Sequence, residues 1–374
     1  MCMTKLKILE VIRQGQIGGG ESHLLDLIYY LDKSQFEPIC LSFSGGEMIE
    51  RLRQQKITCH VIDSERPFDI KVQRKVKSII REEGIQIVHA HGSRAASNVL
   101  LSVLGNHVPF IYTVHGWSFH NDQGLLVRKM RAMSEKLICH YSNDVICVSQ
   151  SNAETGAREF GLKSVHVLEN GINLDRFNPN SEFVNLRKEF GFSDSDFVVG
   201  FVARCTLQKN PIIFLEAIMI AHSQNPKIKG LFIGEGDMDN EVDEYVRTNH
   251  MKDYIFRSPF RTDVPEILNS IDVYCLPSLW EGLSIALLEA MAMRKAIIVT
   301  PTDGTKELIV NENNGLVVPY NNVNELVCSI HRFYTDRNLF QKCADAARQL
   351  VVGRFNAQRV AESVASIYLT YKNN

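Results

Sequence analysis

Short apolar runs alternate with helical segments along the whole chain, and this alternation leaves few folds open. Strand candidates fall at 8–12, 38–43, 85–89, 110–114, 144–148, 164–168, 198–202, 230–233, 254–256, 272–276 and 296–300. Helical stretches such as 22–31, 71–83, 211–223 and 265–271 lie between them. Strands this apolar, separated by helices, form parallel sheets covered on both faces. Eleven are many for one sheet and comfortable for two, and 374 residues at roughly 150 per domain allow that number. The segment from Asn170-Gly171-Ile172 to Asn178-Pro179-Asn180-Ser181 is dense in turn formers, so the break is expected there. The expected fold class is therefore α/β: two doubly wound domains of similar size with a cleft between them.

Hydrophobic residues make up 45% and charged residues 22%, enough for a sizeable core without disulfides or metals. The net charge of -2 provides no field for nucleic acid. Nine cysteines form no C-x-x-C pair and no zinc-ligand spacing, which points to a reducing cytosol. The segment 5–11 is a short apolar strand interrupted by Glu10 and closed by Arg13, unlike an export signal. No run approaches the ~18 apolar residues that span a bilayer, so a membrane is met only from its surface.

Three clusters carry the chemistry. Gly18-Gly19-Gly20-Glu21 follows the first strand and opens a helix. There glycine lets backbone N–H groups approach an anion, or simply makes a tight turn. In the second cluster, 202–211, Arg204 stands at a strand's C-terminal end and Lys209 just before a helix that Pro211 can start. Ligands of open α/β sheets bind beyond those strand ends, and two cations there suit a diphosphate.

The third cluster, 277–289, is the sharpest. After the strand ending at Leu276, Ser284 can cap a helix whose first-turn N–H groups face an anion. Glu281 precedes that turn and Glu289 lies within the helix, about 12 Å further along at 1.5 Å per residue, so the two could bracket a pyrophosphate. Glu289 is flanked by Leu287, Leu288, Ala290 and Met291. It either finds hydrogen-bond partners or sits on the solvent face of an amphipathic helix.

His89-Ala90-His91-Gly92 and Thr113-Val114-His115-Gly116 both follow strands, where histidine can touch a substrate hydroxyl or cap a loop. A metal at His89 and His91 is excluded on sequence because no third ligand has matching spacing. Residues 71–81, and 125–140 with Arg128, Lys129, Arg131 and Lys136, form basic amphipathic helices. Such helices are solvated faces or lie on anionic lipid.

Taken in order, these clusters resemble glycosyltransferase family 4, the large retaining family of GT-B fold. The resemblance runs from about residue 15 to about residue 370. It is carried by the glycine loop with Glu21, His115-Gly116, Asn170-Gly171-Ile172 with Phe177 and Pro179, and Arg204 with Lys209. Gly234-Glu235-Gly236 and the Glu281 to Glu289 motif followed by Glu307 complete it. It implies two Rossmann-like domains facing each other: 1–178 for the acceptor and 179–355 for the nucleotide-sugar donor, with a helix in 356–374 packing back on the first.

The implied reaction is retaining transfer of a sugar from a nucleoside-diphosphate sugar, a UDP-sugar first, to a hydroxyl acceptor. The setting would be surface-polysaccharide or glycolipid synthesis on a lipid-linked glycan, in the cytoplasm or peripheral on the membrane's inner face. Arg204 and Lys209 would hold the diphosphate, and Glu281 the donor-sugar hydroxyls. The backbone of Gly282, Leu283 and Ser284 would touch sugar and phosphate, and Glu289 the ribose. His115 would lie over the sugar near the reacting centre, and Gly19 and Gly20 would border acceptor and phosphates. No metal or other cofactor is expected.

Three departures bear on the donor: Asn210 after Lys209, Asp303-Gly304 ahead of Glu307, and no glycine in Arg257-Ser258-Pro259-Phe260. Two other readings share the architecture: a non-hydrolysing nucleotide-sugar epimerase and a non-catalytic accessory subunit that binds the nucleotide-sugar.

Overall fold

The computed structural model describes residues 5–119, 123–281 and 283–372. The chain divides into two compact units, Met1–Gly171 with Ala357–Asn374, and Ile172–Asn356. The division thus falls inside the turn-rich segment 170–181, a few residues ahead of the 178/179 boundary that the family resemblance implies. Ile172 and Phe177 are buried in the second unit's core, and the Ile172 N–H donates to the Phe355 carbonyl at 2.8 Å.

In the first unit the order is β1 (Leu6–Ile12), α1 (Gly19–Tyr30), β2 (Phe36–Ser42), α2 (Glu47–Gln54), β3 (Cys59–Val61), α3 (Ile70–Glu82) and β4 (Ile87–His91). Then come α4 (Ser93–Asn106), β5 (Phe110–Val114), α5 (Leu125–Tyr141), β6 (Asp144–Cys147), α6 (Gln150–Phe160) and β7 (His166–Val167). Its seven strands pair all-parallel in the order β3-β2-β1-β4-β5-β6-β7.

Alternate residues of β1 serve opposite faces of the sheet, as the period of two requires. Leu9 and Val11 join a core with Val76, Val99 and Ile138 from α3, α4 and α5. Leu6 and Ile8 join one with Leu27 and Leu31. Each such side chain, fully removed from water, contributes about 1.5–3 kcal/mol.

The second unit runs β8 (Phe197–Val202), α7 (Pro211–Gln224), β9 (Ile228–Ile233), α8 (Asp239–Thr248), β10 (Ile255–Ser258), α9 (Val264–Ser270) and β11 (Val273–Leu276). It continues with α10 (Ile285–Ala292), β12 (Ala296–Val299), α11 (Asp303–Leu308), β13 (Leu316–Val317), α12 (Val323–Thr335) and α13 (Arg337–Arg354). Six parallel strands take the order β10-β9-β8-β11-β12-β13. One core covers each face of this sheet, one built on Leu231, Tyr274 and Met291 and the other on Phe201, Phe214 and Phe333.

The last helix, α14 (Ala357–Leu369), returns to the first unit, where Ala361, Val364, Ile367 and Tyr368 pack with Leu27, Leu31 and Ile111. In both units the strand order reverses direction beside the first strand, between β1 and β4 and between β8 and β11. Loops leaving those two strands diverge, and ligands of open α/β sheets bind in the crevice they leave. Among the described residues, no helix is long and apolar enough to cross a membrane.

Candidate active site

In the second unit, the loops after β8 and β11 bring the acidic and basic candidates together. Beyond Val202 the chain passes Arg204, makes a short helical turn over Leu207–Lys209 and enters α7. Asn210 takes the left-handed conformation there, φ 52°, with Pro211 starting the helix. The Gln208 side chain donates to the Trp280 carbonyl at 2.9 Å. Its own carbonyl accepts from the Leu279 N–H at 2.8 Å. These bonds tie the two loops to one another.

Across that tie the Lys209 ammonium pairs directly with the Glu281 carboxylate, which also accepts from the Ser278 hydroxyl at 3.3 Å. Both side chains are nearly enclosed, at 11% and 8% exposure. Burial, and then the nearby Arg204 guanidinium, pull Lys209 down to about 8. Two cations close enough to perturb each other, one of them poorly hydrated, favour a multiply charged anion between them. Arg204 itself is exposed.

Glycines shape the loop that carries Arg204. Gly234 has φ +148°, and a Cβ there would lie 1.8 Å from the Ala203 carbonyl oxygen. A Cβ at Gly236 would lie 2.2 Å from the Cys205 carbonyl oxygen. Backbone thus packs on backbone, sealed by Cys205 N–H to Glu235 O at 3.0 Å and Met238 N–H to Cys205 O at 3.1 Å.

Ser284 caps α10, its hydroxyl accepting from the Leu287 N–H at 3.4 Å. Leu283 is partly buried against the core. Glu289 is half-buried rather than on an open face, and with burial it raises the pKa of Tyr274. Glu307 on α11 is exposed. Gly282 lies outside the described residues.

In the first unit, Gly19 and Gly20 form the first turn of α1, after Gly18 in extended backbone. A Cβ on Gly20 would reach to 3.6 Å from the His115 ring. Sequence ends the strand at His89 and leaves His91 beyond it; the structure corrects this. β4 runs through His91, so both rings are buried strand residues on one face. Glu10 likewise does not interrupt β1, which continues to Ile12.

Glu10, fully buried, accepts from the Tyr368 hydroxyl at 2.7 Å and from His91 Nε2 at 3.0 Å. His91 Nδ1 lies 3.3 Å from His115 Nε2, and the His23 ring stands edge-on to His115 at 5.0 Å. Desolvation lowers His23 to about 3 and holds His89 and His115 well below the ordinary histidine value, with neighbouring histidines adding to the effect.

One nitrogen each of His23, His91 and His115 lies within 4.8 Å of the others, as do ligand atoms of Glu10, His89 and His91. The missing third ligand that argues against a metal in the sequence is therefore present, supplied by α1, β1 and the loop after β5. Sets of this kind suit borderline cations such as Zn²⁺.

Sequence reasoning passes over Glu10, His23, Gln208 and Tyr368. Only Glu10 leaves a signal, as a lone charge inside an otherwise buried parallel strand.

Comparison with known proteins adds a family to this geometry. Residues 17–176 match the model of Glycosyltransferase Family 4, and residues 183–350 that of Glycosyl transferases group 1. The chain is 25% identical to the UDP-Gal:alpha-D-GlcNAc-diphosphoundecaprenol alpha-1,3-galactosyltransferase of Escherichia coli, over 98% of this chain and 97% of that protein. It is 23% identical to the capsular polysaccharide biosynthesis glycosyltransferase CapM of Staphylococcus aureus, over 92% of each. Among solved structures it is similar to Anabaena Alr3699/HepE in complex with UDP and glucose, with TM-score 0.84 and 19% identity over 97% of this chain and 99% of that one. A glycosyltransferase of Rickettsia africae ESF-5 gives TM-score 0.83 and 22% identity over 99% of this chain and 100% of that one.

Proposed function

This chain belongs to glycosyltransferase family 4, and on that premise we propose that it moves a hexose from a UDP-sugar to a hydroxyl of a lipid-linked glycan, with retention at the anomeric carbon. The observation that carries the reading is the Lys209–Glu281 pair beside Arg204, at the crevice between β8 and β11. A diphosphate entering there exchanges the Glu281 carboxylate for phosphate oxygens on Lys209. Glu281 is then released to accept from sugar hydroxyls, Glu289 takes the ribose, and the N–H groups at the start of α10 face the phosphates.

The choice of uridine is supported by the E. coli relative, named for UDP-Gal, and by the UDP held in the Anabaena protein. The diphosphoundecaprenol in the relative's name supports a lipid-linked acceptor. Arg204 and Lys209 stabilise the leaving diphosphate without a metal. The departing phosphate oxygen takes the acceptor proton as the new bond forms on the same face, so Glu281 is no nucleophile. The protein supplies orientation and preorganised charge.

The acceptor's lipid tail favours a chain that works against a membrane. α5 exposes Leu125, Leu126, Met130 and Met133 beside Lys129 and Lys136, a pattern suited to an anionic surface.

A thermal-shift panel of UDP, GDP, ADP and their sugar conjugates, on wild type and Arg204→Ala, tests the donor site. UDP at ~100 times its Kd adds about 2.7 kcal/mol to wild-type stability. Stabilisation by UDP compounds in wild type, lost in the variant, is the expected result. If no nucleotide moves either protein, the donor reading fails. Assays of sugar release with and without acceptor then separate transfer from hydrolysis and epimerisation.

A further inference from the structure

We propose that Arg13, Arg94 and Arg131 form an anion site in the first unit, and that it takes the diphosphate of a lipid-linked acceptor. That the anion belongs to such an acceptor rests on the proposed function; that the cluster takes a diphosphate does not.

Two of the arginines sit at the C-terminal end of the sheet, where its strand order reverses. β1 and β4 are neighbours there, with Ile12 in register with His91. Arg13 is the next residue after Ile12, and Arg94 lies in the first turn of α4, directly after β4. Ligands of open α/β sheets bind in the crevice at such a point.

A buried carboxylate brings Arg131 to them from α5. Glu135 accepts from the Tyr112 hydroxyl at 2.8 Å, from the Ser118 N–H at 3.0 Å and from the Ser93 hydroxyl. It thereby clamps α5 to β5, to the loop after β5 and to the start of α4. Arg131 stands one helical turn before Glu135, on the same side of α5. Its guanidinium donates to the Ser118 carbonyl at 2.9 Å. Ser93 adjoins Arg94, so the clamp that holds Ser93 and Ser118 also sets the two arginines near one another.

These charges lack acidic partners. Elsewhere in the unit Arg51 pairs with Glu47, Arg53 with Glu50 and Arg128 with Glu159. Among the described residues, none of the three clustered arginines has a carboxylate at ion-pair distance, and Arg94 and Arg131 donate to backbone carbonyls instead. Partial burial, then Arg13 and Arg131, hold Arg94 below the ordinary arginine value against the pull of Glu65. Arginine stays protonated in proteins, so the free protein cannot relieve this repulsion by losing a proton. A multiply charged anion relieves it, and guanidinium forks match phosphate oxygens two at a time.

Three forks offer more donors than one phosphate group uses, which favours a diphosphate. The lipid end is favoured by α5 itself, where Met130 and Met133, both exposed, flank Arg131 in sequence. One helix thus offers a cation to the diphosphate and apolar surface to the chain it carries.

The test is calorimetric titration of the full chain with farnesyl diphosphate, farnesyl phosphate, farnesol and inorganic diphosphate. UDP is kept saturating throughout, so that the donor site is filled. Farnesyl diphosphate is expected to bind most tightly, the monophosphate less so and farnesol least. Arg94→Gln and Arg131→Gln should each weaken farnesyl diphosphate by about tenfold, the worth of a hydrogen bond to a charged group, while UDP affinity and the thermal melt hold. Lys75→Gln on α3 should leave all of these unchanged.

Equal affinity in wild type and both variants overturns the proposal. So does a wild type that binds farnesol as well as farnesyl diphosphate, a result that needs no variant to fold. Sedimentation with diphosphate-free anionic vesicles separates the other source of phosphate and should not change in either variant. Its loss, with farnesyl diphosphate binding intact, assigns the cluster to bilayer headgroups and overturns the proposal. Arginine-dependent binding of inorganic diphosphate that the farnesyl chain does not strengthen strikes the lipid-linked acceptor and keeps the anion site. Failure of UDP to bind strikes the donor reading alone.

Discussion

Lys209 and Glu281 come from loops after different strands of one sheet, yet their charged ends meet directly in a nearly enclosed site. Their substitution should therefore act asymmetrically. Lys209→Met removes a charged donor to the diphosphate and should weaken UDP by about 1.5–3 kcal/mol, the value of hydrogen bonds to charged groups. Glu281→Gln removes a competitor for Lys209, so UDP affinity should hold or rise while transfer falls. Calorimetric titration beside transfer kinetics checks this; equal loss of UDP affinity in both variants would mean that the carboxylate does not compete.

The depressed Lys209 value makes donor binding dependent on pH. UDP binds the protonated amine better, so binding takes up a proton wherever Lys209 is partly neutral. Below pH 8 the amine is already charged and affinity is level; above about 8 it falls by up to tenfold per unit. Stability of the free protein moves the other way. Between about 8 and the ordinary lysine value the unfolded chain holds the proton and the folded one does not, so this group makes stability rise with pH. Titrations at pH 7, 8 and 9 should show the affinity trend in wild type and none in Lys209→Met.

Gly234→Ala should disturb the donor site without touching any charged residue. Its backbone is in a region L-residues rarely adopt, and the added Cβ would fall 1.8 Å from the Ala203 carbonyl. Ala203 adjoins Arg204, so relief of the clash displaces the guanidinium. A stability loss of about 2–3 kcal/mol, with weaker UDP binding in the fraction that remains folded, is expected from denaturant melts and titration. An unperturbed melt would show that the loop gives way freely.

Much of this was legible locally. Strand 110–114 and the helix starting at Pro211 coincide with the apolar and proline signals, and Ser284 does cap α10. The two strands without a signal, β3 and β13, have three and two residues at or near sheet edges, too short to show periodicity. The network on Glu10 is a different case. A charge in β1 and two histidines in β4 look like interruptions because their partner, Tyr368, is 358 residues from Glu10. Local pattern reports whether a position is apolar, and a buried polar group becomes tolerable only through contacts that the fold creates.

The exposed face of α5 yields the last prediction. Of its side chains only Glu135 and Ile138 are buried, whereas Leu125 and Leu126 are 77% and 74% exposed and Met130 and Met133 are 65% and 66%. The basic helix α3 differs, since Val72, Val76 and Ile80 face the core and Ile70, at its first position, is its one exposed apolar side chain beside Lys71, Arg74, Lys75 and Arg81. Insertion into a lipid surface needs apolar area as well as charge, so α5 should dominate. Leu126→Glu with Met130→Glu should abolish sedimentation with anionic vesicles. Each change should move stability within about 0.5 kcal/mol, because neither side chain packs against the protein. Lys129→Glu with Lys136→Glu should remove the preference for anionic over zwitterionic lipid, at about 1 kcal/mol per lysine. Reversal of the lysines on α3 should do far less. If α3 variants lose vesicle binding and α5 variants keep it, the surface that meets the membrane is the wrong one.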